Sequence, residues 1–481
     1  MPQLSGQDAQ FLYIESGHNL TNVTSVGIYD QSTAPGGKVR FKDIINHVES
    51  RLDFSPVFRR RLVHVPLELD YPYWAEDEFF DVEYHVHHAR LPEPGDWRQF
   101  CIHVARYHTR PLDMNRPPWE IYVIEGLDGI EWLPKGAYAV VTKVHHSAID
   151  GTSATKFLSV LNDINAEGDP ALGPEYPFER LGSKPSLPEM MVRAAYNNAR
   201  SPFRIGETLL KSAPALYRSA LSSTRNSERT PNVVPHTRFN EAVSPHKMFD
   251  ATTFQLSDLS KIKRAVKGAT INDVVLTICG GALRAYLDSK DELPEDSLIG
   301  WVPINARGGE DVAGNKISAM TTPIHTQIAK PLERLTAIMR STQKSKTAQS
   351  GVSARLMTDL TQHIPSTTQI MVAKLVLDSG LQSRACNCFI SNVPGPQFPL
   401  YMNGAKCLHT YALAPLGEGM GLFIATPSYN GQMSFNAIST REIMPDVDFF
   451  IQCIRDSFDE LMAAAEKKER TKKRKSPAAA E

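Results

Sequence analysis

The sequence lacks the features that would make its function obvious. Its six cysteines, Cys101, Cys279, Cys386, Cys388, Cys407 and Cys453, are scattered without paired C-x-x-C spacing. That excludes a zinc module or disulfide framework and suits a reducing compartment. A charge bias is also missing. The 52 Lys and Arg against 53 Asp and Glu leave a net charge of −1, which argues against a nucleic-acid binder. No stretch approaches the roughly 20 apolar residues of a spanning helix, so any membrane contact is expected to be peripheral. The opening MPQLSGQDAQFLYIE has neither a basic region nor an apolar run behind it, and no signal peptide is expected. The sequons at Asn19 and Asn22 then carry little meaning. Also missing are a P-loop, a G-x-G-x-x-G opening a helix, and a G-x-S-x-G elbow. Gly417-Glu418-Gly419-Met420-Gly421 lacks dinucleotide spacing and reads as a loop.

What is present suffices for a large folded protein. A chain of 481 residues, 42% hydrophobic and 22% charged, has room for two or three domains with full cores. Residues 1–165 read as a first α/β domain. A helix is expected around Ser5–Tyr13 and another over Phe41–Leu52, where Ile44, Ile45 and Val48 share a side. Strands are expected at Val23–Tyr29, Val82–His88, Trp119–Ile124 and Ala137–Val144. Within them, His85, His87 and His88 read as a surface strand. Residues 166–245 form a proline-punctuated crossover whose helices must be short. Its Arg193, Arg200, Arg204, Lys211, Arg218, Arg225 and Arg229 outnumber Glu189, Glu207 and Glu228. This face is either simply solvated or rests on anionic lipid. Residues 246–465 read as a second α/β domain with a helix at Ile271–Leu287 and strands near Ser297–Pro303, Ala385–Ile390 and Gly421–Ser428. The basic tail, 466–481, is expected to be disordered.

The most informative stretch is His145-His146-Ser147-Ala148-Ile149-Asp150-Gly151, at the end of an apolar strand. Adjacent histidines on a strand point to opposite faces, so one ion cannot take both, and no metal is expected. One imidazole, largely neutral at pH 7, can instead accept a proton. Gly151 permits a sharp turn. Asp150 either braces the loop or caps the helix expected from Thr152, which carries Ala154, Phe157, Leu158 and Leu161 inward. In the second domain, Thr270 and Asp273 have capping-box spacing. Asp273 and Asn272 are therefore either a helix start alone or polar groups facing a site. Ser391 and Asn392, before the Pro394-Gly395 turn, are either support or site.

The heptad HHSAIDG fits the HHxxxDG signature of CoA-dependent acyltransferases of the chloramphenicol acetyltransferase-like fold. Further stretches resemble one branch, the bacterial wax ester synthase/diacylglycerol acyltransferases. Leu4-Ser5 through Asp8 to Phe11-Leu12 is similar to its S-x-x-D-x-x-F-L opening. Phe58-Arg59-Arg60-Arg61-Leu62, Pro72-Tyr73-Trp74, Phe80-Asp81 and Tyr84-His85 resemble its first-domain pattern. Arg110-Pro111-Leu112-Asp113 with Arg116-Pro117-Pro118-Trp119-Glu120 resembles its P-L-W element, with Pro118 in place of leucine. Asn272-Asp273, Ser391-Asn392-Val393-Pro394-Gly395-Pro396 and Ser428-Tyr429-Asn430-Gly431 are similar to its later motifs. Thr440 stands where relatives commonly carry aspartate.

The resemblance implies an α/β (α+β two-layer sandwich) fold. Two chloramphenicol acetyltransferase-like domains would be joined by the partly helical crossover, with a channel between them. It implies His146 as general base, His145 as an orienting neighbour, Asp150 as a structural brace, and Asn272, Asp273, Ser391 and Asn392 as oxyanion or substrate-binding candidates. It implies an O-acyltransferase acting without an acyl-enzyme or bound cofactor. The co-substrate would be a long-chain acyl-CoA and the acceptor diacylglycerol or a fatty alcohol, taken from a membrane or lipid droplet by a cytoplasmic, peripherally attached protein. Two other readings remain. One is a related acyltransferase with another acceptor or a carrier-protein donor. The other is a catalytically weak lipid-binding or droplet protein, suggested by Pro118 and Thr440.

Overall fold

The structure, a computed structural model, describes residues 2–149, 159–171, 181, 185–225, 234–305, 317–348 and 363–475. Asp150, Gly151 and the start of the helix expected from Thr152 lie outside the described residues. Along the first half run α1 (Gly6–Tyr13), β1 (Asn22–Asp30), α2 (Phe41–Arg51), β2 (Arg60–Val63), β3 (Tyr73–Glu76), α3 (Val82–His85), β4 (Val86–Arg90), α4 (Trp97–His108), β5 (Trp119–Glu125) and β6 (Tyr138–His145). The connecting helix α5 spans Leu187–Arg225. The second half opens with β7 (Lys247–Gln255), α6 (Leu256–Ala265), α7 (Ile271–Asp288), β8 (Ile299–Asn305), β9 (Ile317–Pro323), α8 (Pro331–Ala348) and α9 (Ser366–Ser379). It closes with β10 (Cys388–Pro394), β11 (Tyr401–Met402), β12 (Ala405–Leu413), β13 (Leu422–Tyr429), β14 (Gln432–Thr440) and α10 (Val447–Lys475).

The strands form two six-stranded mixed sheets in the orders β11-β12-β1-β6-β5-β4 and β7-β14-β13-β10-β8-β9, with β2-β3 as a small ribbon. Two elements do not respect the division. β12, from the second half of the sequence, pairs antiparallel with β1 from Thr24↔Leu413 to Asp30↔Lys406, and β11 continues the first sheet beyond it. Tyr429 of β13 donates a hydrogen bond to the Cys407 carbonyl at 3.0 Å, and Ser434 of β14 reaches the Thr410 carbonyl at 3.0 Å. A second link runs from Trp97 Nε1 on α4 to Asp250 Oδ1 on β7, at 2.7 Å. The core between the sheets accordingly mixes halves, with Val26, Ile28 and Tyr411 packed in one cluster with Phe249, Ala251 and Ile438.

Most expected elements form where the pattern places them. β6 is buried at every position, as an apolar strand between β1 and β5 must be. α7 is apolar almost all round and is correspondingly buried from Asp273 to Leu283. Three places differ. Over 82–88 the first four residues are a helical turn, because Asp81 caps the Glu83 N–H at 3.0 Å. His85 is therefore not on a surface strand but buried, stacked on Trp119 with ring centroids 4.4 Å apart and bonded to the Trp119 carbonyl. The crossover does not break into short helices, since α5 runs unbroken through Pro202 and Pro214. Each proline removes one hydrogen bond, but contacts made by the helix's inner side anchor it. Met190 and Ala194 are buried with Val63, Val65, Tyr73 and Ala75, and Asn197 and Asn198 donate to Asp70 and the Leu69 carbonyl. Finally, the basic tail is helical as far as Lys475. It continues α10, whose buried residues Phe450, Ile454, Phe458 and Leu461 fix the preceding turns.

Candidate active site

The end of β6 is held from both sides. His145 N donates to the Pro118 carbonyl at 2.9 Å, and His146 N donates to the Thr21 carbonyl at 3.0 Å. Pro118 precedes β5 and contributes only this carbonyl, so the imino acid costs the strand no donor there. The chain then turns through a 3-10 segment, His146–Ala148, and the two imidazoles part.

His145 is buried and fully engaged. Its Nδ1 accepts the Ser147 backbone N–H at 3.1 Å, so the proton belongs on Nε2. Nε2 lies 3.1 Å from both Glu15 Oε1 and Thr21 Oγ1. Burial raises the Glu15 carboxyl, but the hydrogen bond and charge of His145, with the Thr21 N–H and hydroxyl, outweigh it and leave the pKa lowered. Glu15 is therefore ionised and fixes the His145 tautomer.

His146 is different. The Phe11 ring lies parallel on the imidazole with centroids 3.6 Å apart and planes 15° from coincidence. Burial lowers the His146 pKa to about 4, with an opposing contribution from its own carbonyl and a small lowering from His145. Its Nδ1 is buried without a well-formed hydrogen bond among the described residues. The residue is only half-buried, so the ring is not sealed in packed core. At pH 7 it is a neutral, water-shielded base.

Phe11 is aimed by α1, whose first turn is capped by Ser5 accepting from the Asp8 N–H at 3.0 Å. The site lies beside the seam between halves. Two residues before Thr21, Asn19 donates to the Leu416 carbonyl at 2.8 Å, and His18 sits 3.2 Å from Glu418. Sequence reasoning missed Phe11, Glu15 and Thr21 as site residues. The opening motif held Phe11 in plain sight, with Glu15 three residues beyond its end, but nothing in it names a partner some 130 positions away.

The second-half candidates divide. Asp273 is committed to structure: Oδ2 accepts the Thr270 N–H at 2.8 Å and its hydroxyl at 2.7 Å, and Oδ1 accepts the Thr342 hydroxyl at 2.7 Å. It is the N3 carboxylate of the capping box that Thr270 opens at the start of α7. Asn272, beside it, is half-buried in the first turn. Ser391 and Asn392 are half-buried on β10, opposite Ala425 and Thr426 of β13. Thr440 is buried at the end of β14, where its carbonyl and hydroxyl receive the Met444 and Ile443 N–H groups. It ends the strand and opens the following turn, where its part is local backbone support. Among the described residues no three His, Cys, Asp or Glu side chains gather into a metal-binding group.

Comparison with known proteins follows this geometry. Residues 4–275 match the family model described as the wax ester synthase/diacylglycerol acyltransferase catalytic domain, and residues 313–462 match the corresponding C-terminal domain. A Mycobacterium tuberculosis (strain CDC 1551 / Oshkosh) protein named as a diacylglycerol O-acyltransferase is 31% identical over 453 residues, 93% of this chain and 87% of its own. The Mycobacterium tuberculosis (strain ATCC 25618 / H37Rv) protein tgs2, named a probable diacylglycerol O-acyltransferase, is 28% identical across 96% of this chain and 99% of its own. Among solved structures, the wax ester synthase/diacylglycerol acyltransferase of Marinobacter aquaeolei VT8 superposes with a TM-score of 0.69 at 25% identity, covering 97% of this chain and 100% of its own. The trichothecene 15-O-acetyltransferase of Fusarium sporotrichioides, with TM-score 0.58 and 13% identity over 95% of this chain and 94% of its own, shares the fold.

Proposed function

The chain belongs to the wax ester synthase/diacylglycerol acyltransferase family and is an acyl-CoA-dependent O-acyltransferase acting on lipid alcohols; we propose that His146 is its general base. The observation that carries this is the contrast within the pair: His145 has both ring nitrogens engaged, whereas His146 is neutral, partly buried and lies flat under Phe11 with no well-formed hydrogen bond at Nδ1 among the described residues. In the proposed reaction His146 takes the hydroxyl proton as the alcohol oxygen attacks the thioester carbonyl. The tetrahedral intermediate collapses, the C–S bond breaks, and the imidazolium returns its proton to the departing thiolate. The products are an ester and free CoA.

General-base assistance of this kind is worth about 10²–10⁴ in rate, or about 3–5.5 kcal/mol. The low pKa of His146 supports the second proton transfer, because an imidazolium in a dry site is a strong acid toward a thiolate of pKa near 8.5. Direct transfer needs no acyl-enzyme and no cofactor. For the oxyanion, Asn272 and Asn392 are the donor candidates, since a neutral amide N–H stabilises developing negative charge. Asp273, an acceptor already saturated, serves in the capping box, and Ser391 as support for β10. Asp150 is proposed to brace the loop and Gly151 to turn it.

Diacylglycerol and long-chain alcohols are the proposed acceptors and long-chain acyl-CoA the donor. We place the protein in the cytoplasm, at a membrane or lipid-droplet surface. No described helix is long and apolar enough to cross a membrane, and both lipids reach a peripheral enzyme from such a surface. The test is thiol release from palmitoyl-CoA in the presence of dioleoylglycerol or hexadecanol. Wild type is expected to release CoA only with an acceptor, and His146→Ala to be at least 100-fold slower. Equal release by both proteins rules the mechanism out.

A further inference from the structure

Helix α5 is built inside out for a surface helix. Its inner side carries Met190, Ala194 and Ser201, all buried. At 3.6 residues per turn these three fall within about 20° of one line. Diametrically opposite, Val192, Tyr196, Ala199, Phe203 and Leu210 fall within about 40° of another line. This outward stripe is where a soluble helix carries charge, yet Val192 is 70%, Phe203 80% and Leu210 77% exposed. From Val192 to Leu210 it runs about 27 Å. One flank carries its charges: Arg193, Arg200 and Arg204 lie there with Glu189 and Glu207; Arg193 is paired with Glu189 at 2.7 Å, and the Arg200 guanidinium sits over the Tyr196 ring at 5.1 Å.

A second observation comes from outside the helix. The turn between β2 and β3, whose Leu69 carbonyl and Asp70 carboxylate hold Asn198 and Asn197, has two consecutive residues in the left-handed region, Leu67 at φ 58° and Glu68 at φ 53°. Such backbone is costly for residues with a Cβ. Here it holds Leu67 84% exposed beside α5. A third is a physical link to the candidate active site. Ser201 of α5 donates to the His363 carbonyl just before α9, and Tyr13 of α1 is bonded to Ser366 at the start of α9. α1 is also the helix that lays Phe11 on His146. α9 has its own exposed apolar residues, Met371 at 72% and Leu375 at 70%.

We propose that α5 is an interfacial helix whose outward apolar stripe, flanked on one side by Arg200 and Arg204, lies flat on an anionic lipid surface and presents the α1 side of the site to the lipid acceptor. The occupant follows from the chemistry of the stripe: aliphatic and aromatic groups along its centre, cations along its edge, and a length suited to lying in an interface. The basic end of α10 is a poorer candidate, since its described exposed residues from Glu466 to Thr471 are polar or charged with no apolar stripe. The proposal rests on the acyltransferase reading only for the identity of the acceptor; the docking itself is tested without turnover.

The test uses the full chain and vesicles of phosphatidylcholine with or without about 30% phosphatidylglycerol. Wild type is expected to sediment with the anionic vesicles. The double variant Phe203→Glu/Leu210→Glu, altered only at exposed positions, is expected to partition at least tenfold less. Arg200→Gln/Arg204→Gln is expected to weaken binding several-fold on anionic vesicles and little on neutral ones. Removal of residues 466–481 is expected to leave binding unchanged. The glutamate variant should keep wild-type turnover on a water-soluble short-chain alcohol but lose about tenfold on vesicle-borne diacylglycerol. Unaltered vesicle binding by the glutamate variant overturns the proposal. So does loss of binding on tail removal, or a glutamate variant that changes only from dimer to monomer. If wild type docks through Phe203 but turns over no lipid, docking stands and the acyltransferase reading falls.

Discussion

The end of β6 and the start of α7 look alike as patterns, each a few polar residues where an apolar element begins or ends, yet they are chemically opposite. At α7 the polar groups satisfy one another: Asp273 receives three hydrogen bonds from Thr270 and Thr342. At β6 one histidine is satisfied and the next is left as a neutral imidazole under an aromatic ring. A saturated polar cluster holds structure, and an unsaturated one at a half-open position is available for chemistry. The difference is thus read from what each side chain still lacks rather than from its type.

This contrast can be broken by substitution. The largest effect is expected at His146. His146→Ala should cost 10²–10⁴ in kcat, about 3–5.5 kcal/mol, with the thermal midpoint barely moved. Asp273→Ala should do the reverse. It should destabilise the fold by about 2 kcal/mol through the lost capping-box bonds and the stranded Thr342 hydroxyl, while kcat per folded molecule stays within about threefold. Calorimetry beside initial rates separates the two, and comparable kcat losses would dissolve the comparison.

A sharper probe is pH. Because burial holds His146 at about 4, its basic form is populated above that value. The acidic limb of kcat/KM should lie near pH 4 and the rate should be flat from about pH 5 upward. Phe11→Ala wets the ring, so the limb should move upward by a pH unit or more toward 6.5, a change of about 1.4 kcal/mol or more. A limb already at 6.5 in wild type contradicts the buried base. Asn272→Ala and Asn392→Ala are each expected to cost about 10² in kcat, the low end for loss of one oxyanion donor. Ser391→Ala, which removes support and no donor to the oxyanion, should stay within about twofold.

The residues that were legible beforehand are those whose signal is local. β6 announces itself through Ala139, Val140 and Val141, and its end through the two histidines and Gly151. Thr270 and Asp273 announce a cap three residues apart. What stayed hidden depends on long-range pairing. The strand at Ala405–Leu413 is not among those expected, and its sequence does not say that its partner is β1, nearly four hundred residues earlier. Phe11 and Glu15 meet His146 and His145 only in three dimensions. The crossover misled for a different reason: prolines weaken a helix locally, whereas Met190, Ala194 and Asn198 secure α5 from beneath.

The placement of β12 has a consequence for anyone wishing to divide the gene. Cutting at residue 246 yields an amino-terminal fragment in which β1 is a bare outer edge, its main-chain groups from Thr24 to Asp30 seeking a mate. Such an edge invites self-association. Produced separately, the fragments should therefore precipitate or wait unfolded, and only expression together should return a working molecule, reassembled through the lent pair β11–β12 and the core that both halves share.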